Sequence, residues 1–166
     1  MKELLEGRRL GFAPRASLAF VAIGLGLAAT IIDLMAWFGW GGRDTNPFVI
    51  AAQWLVVTTF VVVGIAAITA VVEYGDVDRE DRGLARMDEA AAIGALLLYG
   101  ISGALRSFEL SQAAVSPAPF LLAIAGLVLL IADAGLAANL YSAREWEELE
   151  DEPIRERHPR RRAAGH

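Results

Sequence analysis

The chain contains no cysteine and only two histidines, His158 and His166, both within the last nine residues. Without thiols it cannot form a disulfide, a thiolate zinc site, an iron–sulfur cluster or a cysteine nucleophile. Neither histidine falls in an apolar stretch, so imidazole ligation of haem or a transition metal within such a stretch is excluded. No glycine-rich phosphate loop, Ser/His/Asp set or metalloprotease motif occurs. We therefore expect no cofactor, no metal and no enzymatic activity.

Charge is also scarce in four long apolar stretches, residues 17–40, 47–74, 90–105 and 117–141. Apolar residues form 55% of the 166-residue chain, more than one water-soluble core of this size buries. A helix rises about 1.5 Å per residue and bilayer hydrocarbon is about 30 Å thick, so each stretch is long enough, or nearly so, to cross it. The pattern predicts an all-α, polytopic bundle of four transmembrane helices, with spans at about 17–40, 47–74, 88–108 and 117–143.

The basic residues predict an orientation. Thirteen of the 15 Lys and Arg lie before the first stretch, between the second and third, or after the fourth, which leaves Arg43 and Arg106 for the other side. The positive-inside rule then places both termini and the middle loop in the cytoplasm. Trp37, Trp40 and Trp54 fall where an outer aromatic belt is expected.

Both ends of the chain read as cytoplasmic segments. Residues 1–16 either form a short helix on the inner leaflet or a frayed terminus. In the charged tail, residues 144–166, the fourth helix is expected to continue until Pro153 stops it. The arginines that follow either grip anionic lipid or an acidic partner, or are simply solvated. We expect membrane lipid as a partner and no nucleic acid.

Three polar residues are predicted to lie near the outer ends of their helices. Asp33 and Gln53 lie at similar depths, and Arg106 closes the third stretch. Because an ionised carboxylate facing lipid is unfavourable, Asp33 should face the bundle interior, where it either pairs with Arg106 or keeps its proton. Such a pair serves either to hold two helices together or to carry out transport.

A second polar layer is expected deeper in the membrane. Counting about 1.5 Å per residue from the helix ends places Asp133 of the fourth helix and Tyr99 of the third at nearly the same depth. Their side chains are therefore candidates to share a hydrogen bond. Small residues allow membrane helices to approach closely. The glycines predicted to serve this packing are Gly24, Gly26, Gly64, Gly94, Gly103 and Gly135.

Four short motifs carry a resemblance to a known family. They are Ile32-Asp33-Leu34, the Glu73-Tyr74 pair, Ala104-Leu105-Arg106 and a Gly135…Leu140-Tyr141 ending. Over about residues 16–146 the chain resembles a family of small bacterial membrane proteins of unknown function, built from four helices with both ends inside. The histidines that such relatives carry near the first and third helices are missing here. The resemblance therefore implies a fold and an orientation, but no cofactor and no activity.

Two functional hypotheses follow. The preferred one is a non-catalytic accessory or scaffolding membrane protein, whose small-residue faces pack on each other and on a protein partner or a second copy. The alternative is a small proton-linked transporter or channel in which Asp33 and Asp133 titrate, one near each face.

Overall fold

The computed structural model describes residues 14–43, 45–74 and 82–155, which form four helices and their connections. The helices are α1 (Pro14–Trp37), α2 (Pro47–Tyr74), α3 (Arg82–Arg106) and α4 (Pro117–Arg155). The predicted all-α, four-helix fold is confirmed. The predictions for the amino-terminal segment before Pro14 and for the basic arm after Arg155 lie outside the described residues.

Proline marks the start of three of these helices, at Pro14, Pro47 and Pro117. At the first helical position the fixed φ of proline suits the helix, and its missing amide hydrogen would have had no partner there. At α2 the preceding residue completes the start, because Asn46 Oδ1 accepts a hydrogen bond of 3.0 Å from the Phe48 amide. This is the usual action of an N-cap residue.

The first helix ends at Trp37, three residues before the predicted limit at residue 40. The Trp40 amide donates to the Met35 carbonyl and the Gly39 amide to the Ala36 carbonyl, both at 3.0 Å. These two bonds form a Schellman cap, which requires a left-handed residue that glycine supplies most readily. Gly39 has φ of 82°. The turn therefore satisfies the last carbonyls of α1 and stops it.

Two other helices differ from the predicted spans in length. The third begins at Arg82 and ends at Arg106, whereas the span was placed at 88–108. Apolar composition marks only the part of a helix that meets hydrocarbon, so polar turns at its ends are missed. The fourth continues to Arg155, two residues beyond the predicted stop at Pro153. The φ of proline is itself helical, so residues after it can keep helical angles briefly.

Contacts between helices fix their relative directions. Asp33 and Gly26 of α1 meet Arg106 and Tyr99 of α3 in the same order along both helices, so α1 and α3 are parallel. The other pairs of contacts run in opposite order, which makes α2 and α4 antiparallel to α3. These contacts are Gln53 with Gly103 and Gly64 with Leu96 for α2, and Ser102 with Pro119 and Gly94 with Leu129 for α4. The chain is therefore an up-and-down bundle, and residues 38–46 and 107–116 lie at one end of it.

Buried residues recur along each helix at alternating intervals of three and four. This spacing is the heptad pattern of helices that pack side by side in a bundle. On α1 the buried stripe is Ala19, Ala22, Gly26, Ala29, Asp33 and Ala36, and on α3 it is Ala85, Asp88, Ala92, Ala95, Tyr99, Ser102 and Arg106. Both stripes consist almost entirely of small or polar residues.

The outward faces have the opposite character. Large apolar side chains are exposed along every helix, including Phe20 and Ile31 on α1, Trp54 and Ile68 on α2, Leu97 and Ile101 on α3, and Leu121 and Val128 on α4. Each helix contains a segment long and apolar enough to cross a membrane: Ser17–Trp37, Pro47–Thr69, Ala85–Arg106 and Pro117–Ala137. The buried stripes of α1 and α3 are thus small and polar while large apolar side chains face outward on every helix, whereas a water-soluble protein turns its large apolar side chains inward.

Candidate functional site

The most strongly polar feature of the interior is an ion pair between α1 and α3. Arg106 donates from Nη1 to Asp33 Oδ1 at 2.8 Å and from Nη2 to Asp33 Oδ2 at 2.5 Å. Both residues are fully buried. This two-point geometry is the strongest that a guanidinium and a carboxylate form, and it satisfies both carboxylate oxygens. Of the two alternatives for Asp33, the structure contains the pairing with Arg106.

Ser102 extends this network to a third helix. Arg106 Nε donates to Ser102 Oγ at 3.1 Å, and Ser102 Oγ donates to the Pro119 carbonyl at 2.7 Å. That carbonyl lies in the first turn of α4. A single chain of hydrogen bonds therefore joins α1, α3 and α4 at this end of the bundle. Sequence analysis did not single out Ser102, although its spacing of four residues from Arg106 places both on one face of a helix.

Gln53, the third member of the predicted outer layer, approaches the same end of α3 from α2. Its Nε2 donates to the Gly103 carbonyl at 3.1 Å. Gly103 lies one turn before Arg106, so Gln53 is close in height to the ion pair but bonds to the backbone instead. The structure thus gathers Asp33, Gln53 and Arg106 at one level, around the last turn of α3.

Tyr99 occupies the centre of the bundle, where its ring lies between two glycines. A Cβ atom at Gly126 would lie 2.8 Å from Tyr99 Cε2, and a Cβ at Gly26 would collide with the Tyr99 hydroxyl oxygen. Only residues without a side chain leave space for this fully buried ring. Gly26 was expected to serve packing, whereas Gly126 was not identified from the sequence.

The predicted hydrogen bond between Tyr99 and Asp133 is wrong. The Tyr99 hydroxyl has no hydrogen-bond partner within the described part of the chain. The ring contacts Gly126, which precedes Asp133 by seven residues, or about 10 Å along α4. Depth counting from the helix ends placed the two side chains too close in height, because it ignored how far α3 and α4 are offset along their axes.

Asp133 instead lies near the level of Asp88, which sequence analysis treated only as the border of the third span. Both side chains are buried, and each takes part in a hydrogen bond or electrostatic interaction. Gly94 of α3 lies against Leu129 of α4, and these two helices are antiparallel. Asp88 precedes Gly94 by six residues, or about 9 Å along α3. Asp133 follows Leu129 by four residues, or about 6 Å along α4, in the same direction. The heptad spacing places Asp88 on the same face of α3 as Tyr99 and Arg106, and this spacing could have identified Asp88 from the sequence as a buried residue.

The fully buried Asn46 side chain links the two loops at one end of the bundle. The first loop comprises residues 38–43 and 45–46, and the second comprises residues 107–116. Asn46 Nδ2 donates to the carbonyls of Trp40 at 2.8 Å and Ala113 at 2.7 Å. The Trp37 indole adds a hydrogen bond of 2.8 Å to the Val115 carbonyl. The sequence pattern Asn-Pro at a helix start was a sufficient signal for the cap of α2, although not for the contacts across to the second loop.

The remaining predicted packing glycines behave differently from one another. A Cβ at Gly94 would press on Leu129, and those at Gly64 and Gly103 would make ordinary contacts. A Cβ at Gly24 or Gly135 would meet open space. Gly24 and Gly135 both lie on exposed faces of their helices, so within this bundle neither position provides the predicted close approach of two helices.

The described residues contain a buried, doubly hydrogen-bonded ion pair, Asp33 with Arg106, and several other buried polar side chains. Among residues 14–43, 45–74 and 82–155, no group of three or more His, Asp or Glu side chains could hold a metal ion. No family model, curated protein or solved structure matches this chain. Any statement about activity therefore depends on the geometry of the bundle alone.

Proposed function

We propose that this chain is a multi-pass protein of a bacterial cytoplasmic membrane, with both termini in the cytoplasm and a non-catalytic, accessory or scaffolding role. One observation carries the membrane assignment. The buried stripes of α1 and α3 consist almost entirely of small and polar residues, whereas large apolar side chains are exposed along the outside of all four helices. In water this arrangement would expose the surface that drives folding, but in lipid it lets helices associate through close packing and interior hydrogen bonds.

The charge distribution supports the orientation. In the up-and-down bundle, the start of α1, the end of α2, the start of α3 and the end of α4 share one end, and thirteen of the 15 basic residues lie near it in sequence. The test uses the absence of native cysteine. A cysteine replacing Gln112 should react with an impermeant maleimide from outside intact cells, whereas one replacing Ala164 should react only after lysis. The reverse result would contradict the orientation.

The ion-pair geometry supports a structural role. A carrier needs a polar group that can exchange partners during transport, but both oxygens of the fully buried Asp33 carboxylate accept hydrogen bonds from Arg106. The network through Ser102 further ties this pair to α4. These contacts suit a rigid bundle that presents fixed faces to a partner or to a second copy.

Flux in liposomes separates the two hypotheses. The wild-type protein should produce no proton or solute flux above that of empty liposomes. Asp33→Asn and Asp133→Asn should likewise leave the background unchanged, while Asp33→Asn lowers the unfolding midpoint. A wild-type flux that Asp133→Asn abolishes would replace the scaffolding proposal with the proton-linked carrier.

A further inference from the structure

Three large aromatic side chains stand out from the two loops at one end of the bundle. Phe38 is 79% exposed, Trp40 is 59% exposed and Phe108 is 84% exposed. They lie beyond the carboxyl ends of α1 and α3, where loops that face water usually carry small and polar residues. We call these three residues the aromatic collar.

The backbone beneath the collar is fixed, so this exposure follows from the loop geometry. The Schellman cap holds Phe38 and Trp40, and the buried Asn46 side chain bonds to the Trp40 carbonyl. Phe108 lies in a turn where its amide donates to the Leu105 carbonyl at 3.2 Å. Trp37, at the end of α1, packs against α4 instead, with its ring centre 4.6 Å from that of Phe120.

The loops themselves carry little charge. Over residues 38–46 and 107–116 the sequence has three charged residues, Arg43, Asp44 and Glu109. Both oxygens of the Glu109 carboxylate are used internally, since they accept from the Ser116 amide at 2.9 Å and from Ser116 Oγ at 2.6 Å. Loops whose polar groups bond inward tolerate a medium poor in water.

The collar also continues the apolar outer surface of the helices. Trp37 and Leu34 are partly exposed on the last turns of α1, and Leu105 is exposed next to Arg106 on α3. Tryptophan is favoured at the boundary between lipid headgroups and acyl chains, and the exposed phenylalanine rings beside Trp40 would be removed from water there. We propose that the aromatic collar is inserted into this boundary, so that both loops lie in the membrane interface instead of projecting into water. This inference rests on the proposed membrane location.

The absence of native cysteine gives a direct test. Four variants are made, each with a single cysteine in place of Phe38, Phe108, Trp54 or Gln112. Each variant is labelled with the polarity-sensitive dye NBD and reconstituted in phosphatidylcholine nanodiscs. Trp54 is a reference for burial in lipid, since it is exposed on α2 seven residues after Pro47, about 10 Å along the helix. Gln112 is the matched control on the second loop, because it is exposed but polar. Circular dichroism and detergent unfolding check that each variant is folded.

The expected result is a graded one. NBD at Phe38 and Phe108 should emit at shorter wavelength than NBD at Gln112, and should be quenched best by lipids spin-labelled near the top of the acyl chain. NBD at Trp54 should be quenched best by labels deeper in the chain, and NBD at Gln112 by an aqueous quencher.

Two different failures are distinguishable. If Phe38 and Phe108 behave like Gln112 while Trp54 is quenched by lipid, the collar proposal is overturned and the membrane location stands. If Trp54 too is quenched only from water, the proposed membrane location fails. A shift to shorter wavelength at Phe38 and Phe108 in cell membranes but not in nanodiscs would also overturn the proposal, because it would indicate a protein partner.

Discussion

The helices α2 and α3 pack in the same bundle, yet their inward faces differ in chemistry. The inward face of α2 is mostly apolar, with Val49, Val56 and Val63 fully buried, and its Thr59 hydroxyl bonds only to the Leu55 carbonyl of the same helix. The inward face of α3 bears an acid, a tyrosine, a serine and an arginine. Its serine and arginine bond to other helices.

The difference shows two ways of associating helices where water is absent. Apolar positions such as the three buried valines of α2 gain only from van der Waals contact, because lipid chains are as apolar as valine. Polar groups on α3 need a particular partner at a particular height, so they specify which helices meet and in what register. Substitutions on the two helices should therefore differ in size.

The largest effect is expected from Arg106→Ala, which leaves Asp33 buried without its cation. Removing one member of a buried ion pair typically lowers the free energy of unfolding by about 3–5 kcal/mol. The matched control on the apolar helix is Val56→Ala, for which the cavity left by two methyl groups lowers the free energy of unfolding by about 1 kcal/mol. Detergent unfolding followed by circular dichroism measures both.

A double variant sharpens this prediction. Asp33→Ala combined with Arg106→Ala removes both charges, so it should be more stable than Arg106→Ala alone. If Arg106→Ala and Val56→Ala lowered the free energy of unfolding equally, the polar network would contribute no more to stability than the packing of an apolar side chain.

The next largest effect is expected at the glycine beside the Tyr99 ring. Gly126→Ala forces the ring to move and should lower the free energy of unfolding by about 1–3 kcal/mol, as overpacking does. Gly24→Ala is the control, since it meets open space, and alanine favours a helix over glycine. The second change Tyr99→Leu should restore part of the stability lost in Gly126→Ala. No rescue would argue against steric conflict as the cause.

A smaller loss is expected for Asn46→Ala, which removes the cap of α2 and the bonds to the Trp40 and Ala113 carbonyls. Loss of a capping side chain typically lowers the free energy of unfolding by about 1–2 kcal/mol. Hydrogen exchange should rise in both loops, 38–46 and 107–116, because Asn46 joins them. Faster exchange in the first loop alone would contradict the bridging role. Asn46→Ser keeps a capping oxygen and should retain part of the stability.

The smallest effect on α3 is expected from Tyr99→Phe. The hydroxyl is buried without a hydrogen-bond partner, so its removal deletes a desolvated polar group and keeps the ring. The unfolding free energy should stay within about 0.5 kcal/mol of the wild type or rise slightly. A loss above about 1 kcal/mol would show that the hydroxyl is bonded, for instance to a water molecule.

Several elements of this fold were predictable from local signals. The length of the apolar stretches located all four helices, because a helix that crosses bilayer hydrocarbon must consist mostly of apolar residues. Asp33 and Arg106 were predictable as candidate partners, because each is a charge in an apolar stretch near the same end of its helix. Asn46 carried a readable capping signal that was overlooked. Asp88 was missed because it lies at a polar border, where a buried acid and an exposed one look alike in sequence.

The sequence by itself determined the four apolar spans and the clustering of basic residues before the first, between the second and third, and after the fourth, because these depend on composition summed over many residues. Only the tertiary structure decided that Arg106 takes Asp33 as its partner, that Tyr99 fills the space between Gly26 and Gly126, and that Asp133 lies level with Asp88. Those outcomes depend on the rotation and axial offset of neighbouring helices. An axial offset of one helical turn changes every such pair, and it leaves the composition of the chain unchanged.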